Sequence, residues 1–143
     1  MSRIMFALGA ALSASIAHAA DCEPTRNTFL GGNYKEVTTQ KVDVSEGLVV
    51  QGKVLSARDC KPIEGARIAH WQANRESQYV DRLRAYLLSG KDGSYRFQTE
   101  WPNLNPPHIH FIVTAPGHKK VTTMWVGDKP VDKISLDIVL APE

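Results

Sequence analysis

An all-β sandwich in a single domain is the architecture this sequence predicts, and three observations point to it. Short runs rich in Val, Ile, Tyr, Phe and Thr recur along the chain. Turn signals such as Lys91-Asp92-Gly93 and Ala115-Pro116-Gly117 separate them at regular intervals. Only the stretch 77–88 has room for a helical turn, and its composition does not decide the matter. Many short strands with turns between them read as a sandwich.

The elements follow in order. Met1-Ser2-Arg3, an apolar or small-residue run from Ile4 to Ile16, and the small-x-small site Ala17-His18-Ala19 have the anatomy of a secretory signal peptide. The run falls short of the ~18 apolar residues a membrane span needs, so cleavage is expected in preference to a retained anchor. Only one arginine precedes the run, so a twin-arginine signal is not indicated. The expected division is a signal peptide over 1–19 and one domain over 20–143, in a periplasmic or secreted protein. The first core strand is 48–55, "LVVQGKVL", with a turn at 57–62. Further strands are expected at 67–72, 94–99, 108–114, 119–126 and 134–140.

The whole chain carries 17 Lys and Arg against 15 Asp and Glu. Loss of Arg3 with the leader leaves 16 cations, a net charge of +1. So even a balance gives no basic patch for nucleic acid or an anionic membrane, and no span is expected in the mature form. Cys22 and Cys60 both lie in the exported part, where an even pair most often forms a disulfide. The bond would tie the N-terminal arm to the turn after the first core strand, worth ~3 to 4 kcal/mol on the chain-entropy model.

The segment "NPPHIHF", 105–111, carries the chemistry. On a strand, residues i and i+2 share a face. His108 and His110 therefore point one way and Ile109 and Phe111 the other, toward the core. Two imidazoles on a rigid strand can grip one metal ion, although His-x-His alone is equally the mark of two surface histidines.

Other motifs sharpen this. "CEPT" and "GGNY" in the arm, "LVVQGKVLSARDCKPIEGARIAHWQAN", "QY", "LRAYLLSGKDGSYRFQT" and "PPHIHFIVTAPGH" follow one another from about Cys22 to Val126. In that order they resemble the intradiol ring-cleavage dioxygenases, non-haem iron(III) enzymes that open catechols between the two hydroxyls. The resemblance implies a prealbumin-like β-sandwich and a ferric ion on two tyrosines and two histidines. Tyr79 matches the tyrosine that stays bound as phenolate, and His108 and His110 match the histidine pair. A small aromatic substrate and O2 are the implied partners, with a ring-opened diacid as product. The residue types suit the ion. Ferric iron favours anionic oxygen, and its charge can displace a phenol proton whose intrinsic pKa is ~10.

Two departures fall at the chemistry. The family's second, exchangeable tyrosine lies between the "DGxYxFxT" hairpin and "HIHF", yet 100–107 contains none. The family's arginine just ahead of the proline is replaced by Asn105. Such a cation stabilises developing negative charge, and single groups of this kind contribute ~2.7 to 4 kcal/mol. The remaining Tyr79, His108 and His110 also suit Cu(II).

The other candidates carry blander expectations. His70, ahead of Trp71, is read as solvent-facing or hydrogen-bonded, and His118 as a turn residue. Tyr34 and Tyr86 are the tyrosines available as replacement fourth ligands, while Tyr95 packs in its hairpin. Trp71 and Trp125 are core candidates, and Trp101 stands in the loop that lost the tyrosine. Arg82 and Arg84 are solvated charges by default, or attract an anion near Tyr79. The leading expectation is an exported intradiol-type dioxygenase acting on catechols. The alternative is a non-catalytic periplasmic copper or iron binder on the same fold, and a plain binding or adhesion module ranks third.

Overall fold

The computed structural model describes residues 22–143, so the expected signal peptide, 1–19, lies outside the described residues. The fold is an all-β sandwich of two sheets. One has strand order β4-β1-β7, with β8 also pairing β1, and the other has order β3-β2-β5-β6. The strands are β1 Leu48–Ser56, β2 Arg67–Trp71, β3 Ala85–Leu88, β4 Ser94–Thr99, β5 His108–Thr114, β6 Val121–Val126, β7 Lys133–Ser135 and β8 Ile138–Leu140. Among the described residues no helix is long and apolar enough to cross a membrane.

The core lies between the sheets and follows strand parity. Leu48, Val50 and Val54 of β1 and Phe97 of β4 face Ile68 of β2 and Ile109, Phe111 and Val113 of β5. Each of these is at most 1% exposed, so side chains such as Phe97 and Phe111 contribute roughly 1.5–3 kcal/mol apiece through burial. Ile109 and Phe111 thus point inward as their alternation with the histidines requires.

One open reading is settled and two expectations need correction. The stretch 77–88 forms one 3-10 turn, Asp81–Leu83, and then strand β3, whose residues pair with β2 from Arg67↔Leu88 to His70↔Ala85. The final strand is split: Leu136 accepts a hydrogen bond from the Tyr95 hydroxyl (2.5 Å), and the Asp137 carboxylate accepts one from the Lys53 N–H (2.9 Å). These contacts turn the chain aside, leaving β7 and β8 as two short parallel partners of β1. His70 is neither solvent-facing nor hydrogen-bonded. It is fully buried between the sheets, stacked on Phe97 at 3.8 Å, and neither ring nitrogen has a partner. The reason is that β2 is a central strand covered on both faces, so alternation offers it no wet side.

The cover on the outer face is the N-terminal arm. Cys22 is disulfide-bonded to Cys60, 38 residues away. From there the arm is held stepwise. Thr25 N–H donates to Val139 O, Thr28 N–H to Thr122 O and Val44 N–H to Gln98 O (2.8–3.0 Å). Arg67 donates to the Val37 carbonyl. Val37 and Leu30 of the arm pack on Ala69, Trp71 and Ile112, the outward residues of β2 and β5.

Candidate metal centre

Strand β5 presents His108 and His110 on that outer face, under the arm. Opposite them stands Tyr79, delivered by the loop between β2 and β3. Its hydroxyl lies 3.1 Å from His108 Nε2 and 3.2 Å from His110 Nε2, so one oxygen and two nitrogens converge. The three residues singled out from the sequence are therefore together in space. Among the described residues no three His, Cys, Asp or Glu side chains form a group, and the third donor here is a phenol.

Each histidine is oriented separately. His108 Nδ1–H donates to the Pro106 carbonyl (2.9 Å), which leaves the Nε2 lone pair for the shared point. The His110 ring stacks on Trp71 with centroids 5.0 Å apart and planes 5° from parallel. Tyr34 packs edge-on against Trp71, with centroids 5.5 Å apart. At Gly31, where φ is +76°, an added Cβ would come within 3.5 Å of His110 Cε1, so the arm passes close over the ring. Burial first, then the charges of His108 and Arg84, lower the His110 pKa to about 4. At neutral pH the ring is uncharged and its lone pair is free. Burial raises the Tyr79 pKa, with Arg84 opposing. The donor set fits a hard, highly charged cation: a phenol oxygen and two neutral imidazoles meet at one point, and His110 Nδ1 is left as the second-shell position.

The Tyr79 loop has its own scaffold, which sequence reasoning missed. Asn74 Oδ1 accepts from Glu76 N–H (3.0 Å) and Gln78 N–H (2.8 Å), and Ala73 pairs with Tyr79 in a one-residue bridge. An Asn opening a polar stretch is an Asx-turn signal that was there to be used. Below it lies Glu100, which is 1% exposed. Its carboxylate accepts from Arg82 Nη1 (2.6 Å), the Arg75 N–H (2.9 Å) and the Ser45 hydroxyl (2.8 Å). Arg82 is thus paired, against the default of a solvated charge.

Chiefly the Arg82 hydrogen bond, with help from Arg75 and Ser45, holds the Glu100 pKa down at about 2 against an ordinary 4.5. A depressed carboxylate stabilises the fold above its unfolded pKa and loses that contribution as pH falls toward 2. Glu100→Gln is expected to cost about 1.5 kcal/mol at pH 7, because half-exposed Arg82 is screened by water. In urea titrations the gap between the two proteins should close between pH 4.5 and 2. A gap that stays constant there would mean the charge is irrelevant.

The remaining candidates lie elsewhere. Tyr86 donates toward Gln40 (3.4 Å) with Arg67 over its ring, and Tyr34 packs on Trp71, so neither has a hydrogen bond to the centre. Tyr95 packs in the sandwich as expected. Trp101 and Trp125 meet edge to face at 6.0 Å, both packed against the sandwich core. His118 donates through Nδ1 to Pro116 O (2.8 Å) and accepts at Nε2 from Ser56 (2.9 Å). A groove of about 860 Å³ is lined by Lys41, Lys53, Leu88, Tyr95 and Arg96, and none of the three converging residues borders it.

Fold and site together describe a β-sandwich with a Tyr/His/His cluster on the outer face of one sheet. No family profile matches the chain. Among curated proteins, hydroxyquinol 1,2-dioxygenase of Nocardioides simplex is 34% identical over 61% of this chain and 40% of its own length. Catechol 1,2-dioxygenase 2 of Acinetobacter lwoffii is 29% identical over 57% of this chain and 40% of its own. The chain thus spans less than half the length of these relatives. In fold it matches the dioxygenase domain of a dioxygenase–carbohydrate-binding fusion from Streptomyces sp. SirexAA-E. The TM-score is 0.75 at 24% identity, covering 85% of this chain and all of that one. In sequence and in fold the chain is thus similar to ring-cleaving 1,2-dioxygenases.

Proposed function

We propose that this chain is an exported intradiol-type dioxygenase domain that cleaves catechol-type aromatics with O2, using a ferric ion held by Tyr79, His108 and His110. The observation that carries the reading is the convergence of the Tyr79 hydroxyl and two Nε2 atoms within 3.1–3.2 Å. The curated relatives named above act, by their names, on catechol and hydroxyquinol. A ferric ion held by Tyr79, His108 and His110 would supply Lewis acidity toward the oxygens of a catechol.

The chain's own residues do the rest. Tyr79 gives up its phenol proton and contributes negative charge. His108 keeps its proton on Nδ1, bonded to Pro106, and offers a lone pair at Nε2. His110, neutral because burial lowers its pKa to about 4, does the same from a ring clamped against Trp71. The arm at Gly31 keeps bulk water from the His110 edge. Both oxygen atoms of O2 end in the two carboxyl groups of the diacid, so the overall reaction needs no external reductant.

One observation favours the second reading, a non-catalytic iron or copper binder. No second tyrosine among the described residues is hydrogen-bonded to the centre, and 100–107 supplies none. Iron-loaded protein mixed with catechols separates the two. Oxygen uptake matched mole for mole by a muconate-type diacid is the expected result, at a slow rate because an arginine is missing at Asn105. A shifted visible spectrum with no oxygen consumed, across several catechols, would leave only the binder.

A further inference from the structure

We propose that Arg84 and the indole N–H of Trp71 form a binding site for a small monovalent oxyanion beneath the N-terminal arm, beside the Tyr79–His108–His110 cluster. The site goes beyond the ring-cleavage reading and needs no metal.

The buried side-chain atoms without a hydrogen-bond partner, among the described residues, sort into two places. His70 in the core accounts for two. The others are Trp71 Nε1, Arg84 Nε and Nη1, and His110 Nδ1. These residues form one row across the outer face of the sheet. Trp71 pairs with His110 in the β2–β5 register. The β2–β3 ladder ends at His70↔Ala85, so Trp71 and Arg84 are the next antiparallel pair beyond it. Unpaired buried donors are rare, and a cluster of them signals a missing acceptor.

Charge narrows the identity of that acceptor. Arg84 is only 8% exposed, and a buried guanidinium requires a counter-charge. Its ion-pair partner, Asp81, lies 3.6 Å from Nε, is 81% exposed and is shared with Lys35. Nη2 is committed to the Asn33 carbonyl at 2.7 Å, which fixes the guanidinium in place and leaves Nη1 free. Water would satisfy the N–H groups but leave the charge opposed only by exposed Asp81, which Lys35 shares. A small oxyanion answers both needs.

The test uses metal-free protein, so its outcome is independent of ring cleavage. Sodium formate and sodium nitrate are titrated at constant ionic strength against gluconate, an anion too bulky for the site. A saturable rise in melting temperature is expected, about 5 °C at ten times the Kd. Arg84→Gln should weaken the anion effect at least tenfold, and Arg84→Lys should restore part of it. Should Arg84→Gln not fold, a Trp101→Phe/Trp125→Phe protein keeps Trp71 as its sole tryptophan, and its emission should shift with formate over the same range. A response that is linear and equal for all three anions, with Trp71 emission unchanged, would overturn the proposal and leave Arg84 bound to water.

Discussion

Tyr79→Phe is expected to abolish the visible charge-transfer band of the ferric-loaded protein and to weaken ferric binding by at least about 100-fold. The phenol oxygen is the one hard, ionisable donor of the three that converge, and nothing nearby can replace it. The fold should not notice. The hydroxyl bonds only to the two imidazoles, while the loop that carries the ring is built by Asn74 and Glu100. Urea unfolding of metal-free protein should therefore change by less than about 1 kcal/mol. Absorption spectra and metal content of dialysed samples decide the point. Colour retained at full stoichiometry would remove Tyr79 from the centre.

The second large effect is on acid stability and comes from His70. Burial between the sheets lowers its pKa to about 3 from an ordinary 6.5. Between those values the unfolded chain binds a proton that the folded protein refuses, so stability falls as pH drops from 6.5 toward 3. The cost at the bottom of that window is about 4 kcal/mol. His70→Leu keeps an apolar side chain against Phe97 and removes two unpartnered nitrogens. The variant should be at least as stable as the natural protein at pH 7 and should retain about 4 kcal/mol more near pH 3. Parallel stability curves for the two proteins across that range would show that His70 is hydrated or otherwise satisfied.

What could be read from the sequence was what neighbouring residues determine. The bounds of β4 and β5 are legible because turn residues bracket a clean alternation, as Lys91-Asp92-Gly93 does before Ser94. The facing of His108 and His110 needs only the period of a strand. Tyr79 needed a resemblance, since nothing local shows that a loop residue will reach β5. What failed was long-range. His70 looks like a half-exposed position until β2 is known to be covered on both faces. Strand β3 was hidden in a stretch whose helical and extended preferences compete, and its pairing to β2 settles the contest. Glu100 gives no sign of burial, because its three partners come from the arm and from the Tyr79 loop.

Strand β5 divides its labour by parity. Ile109, Phe111 and Val113 hold the two sheets together, while His108, His110 and Ile112 face the arm. Mutational tolerance along these seven residues should therefore alternate, one kind of damage at odd positions and another at even ones. Substitutions at 109, 111 or 113 are lost as unfolded protein. Those at 108 or 110 leave an intact sandwich with altered chemistry. A lineage built on this strand can shed, exchange or retune its reaction while selection on folding stays blind to the change.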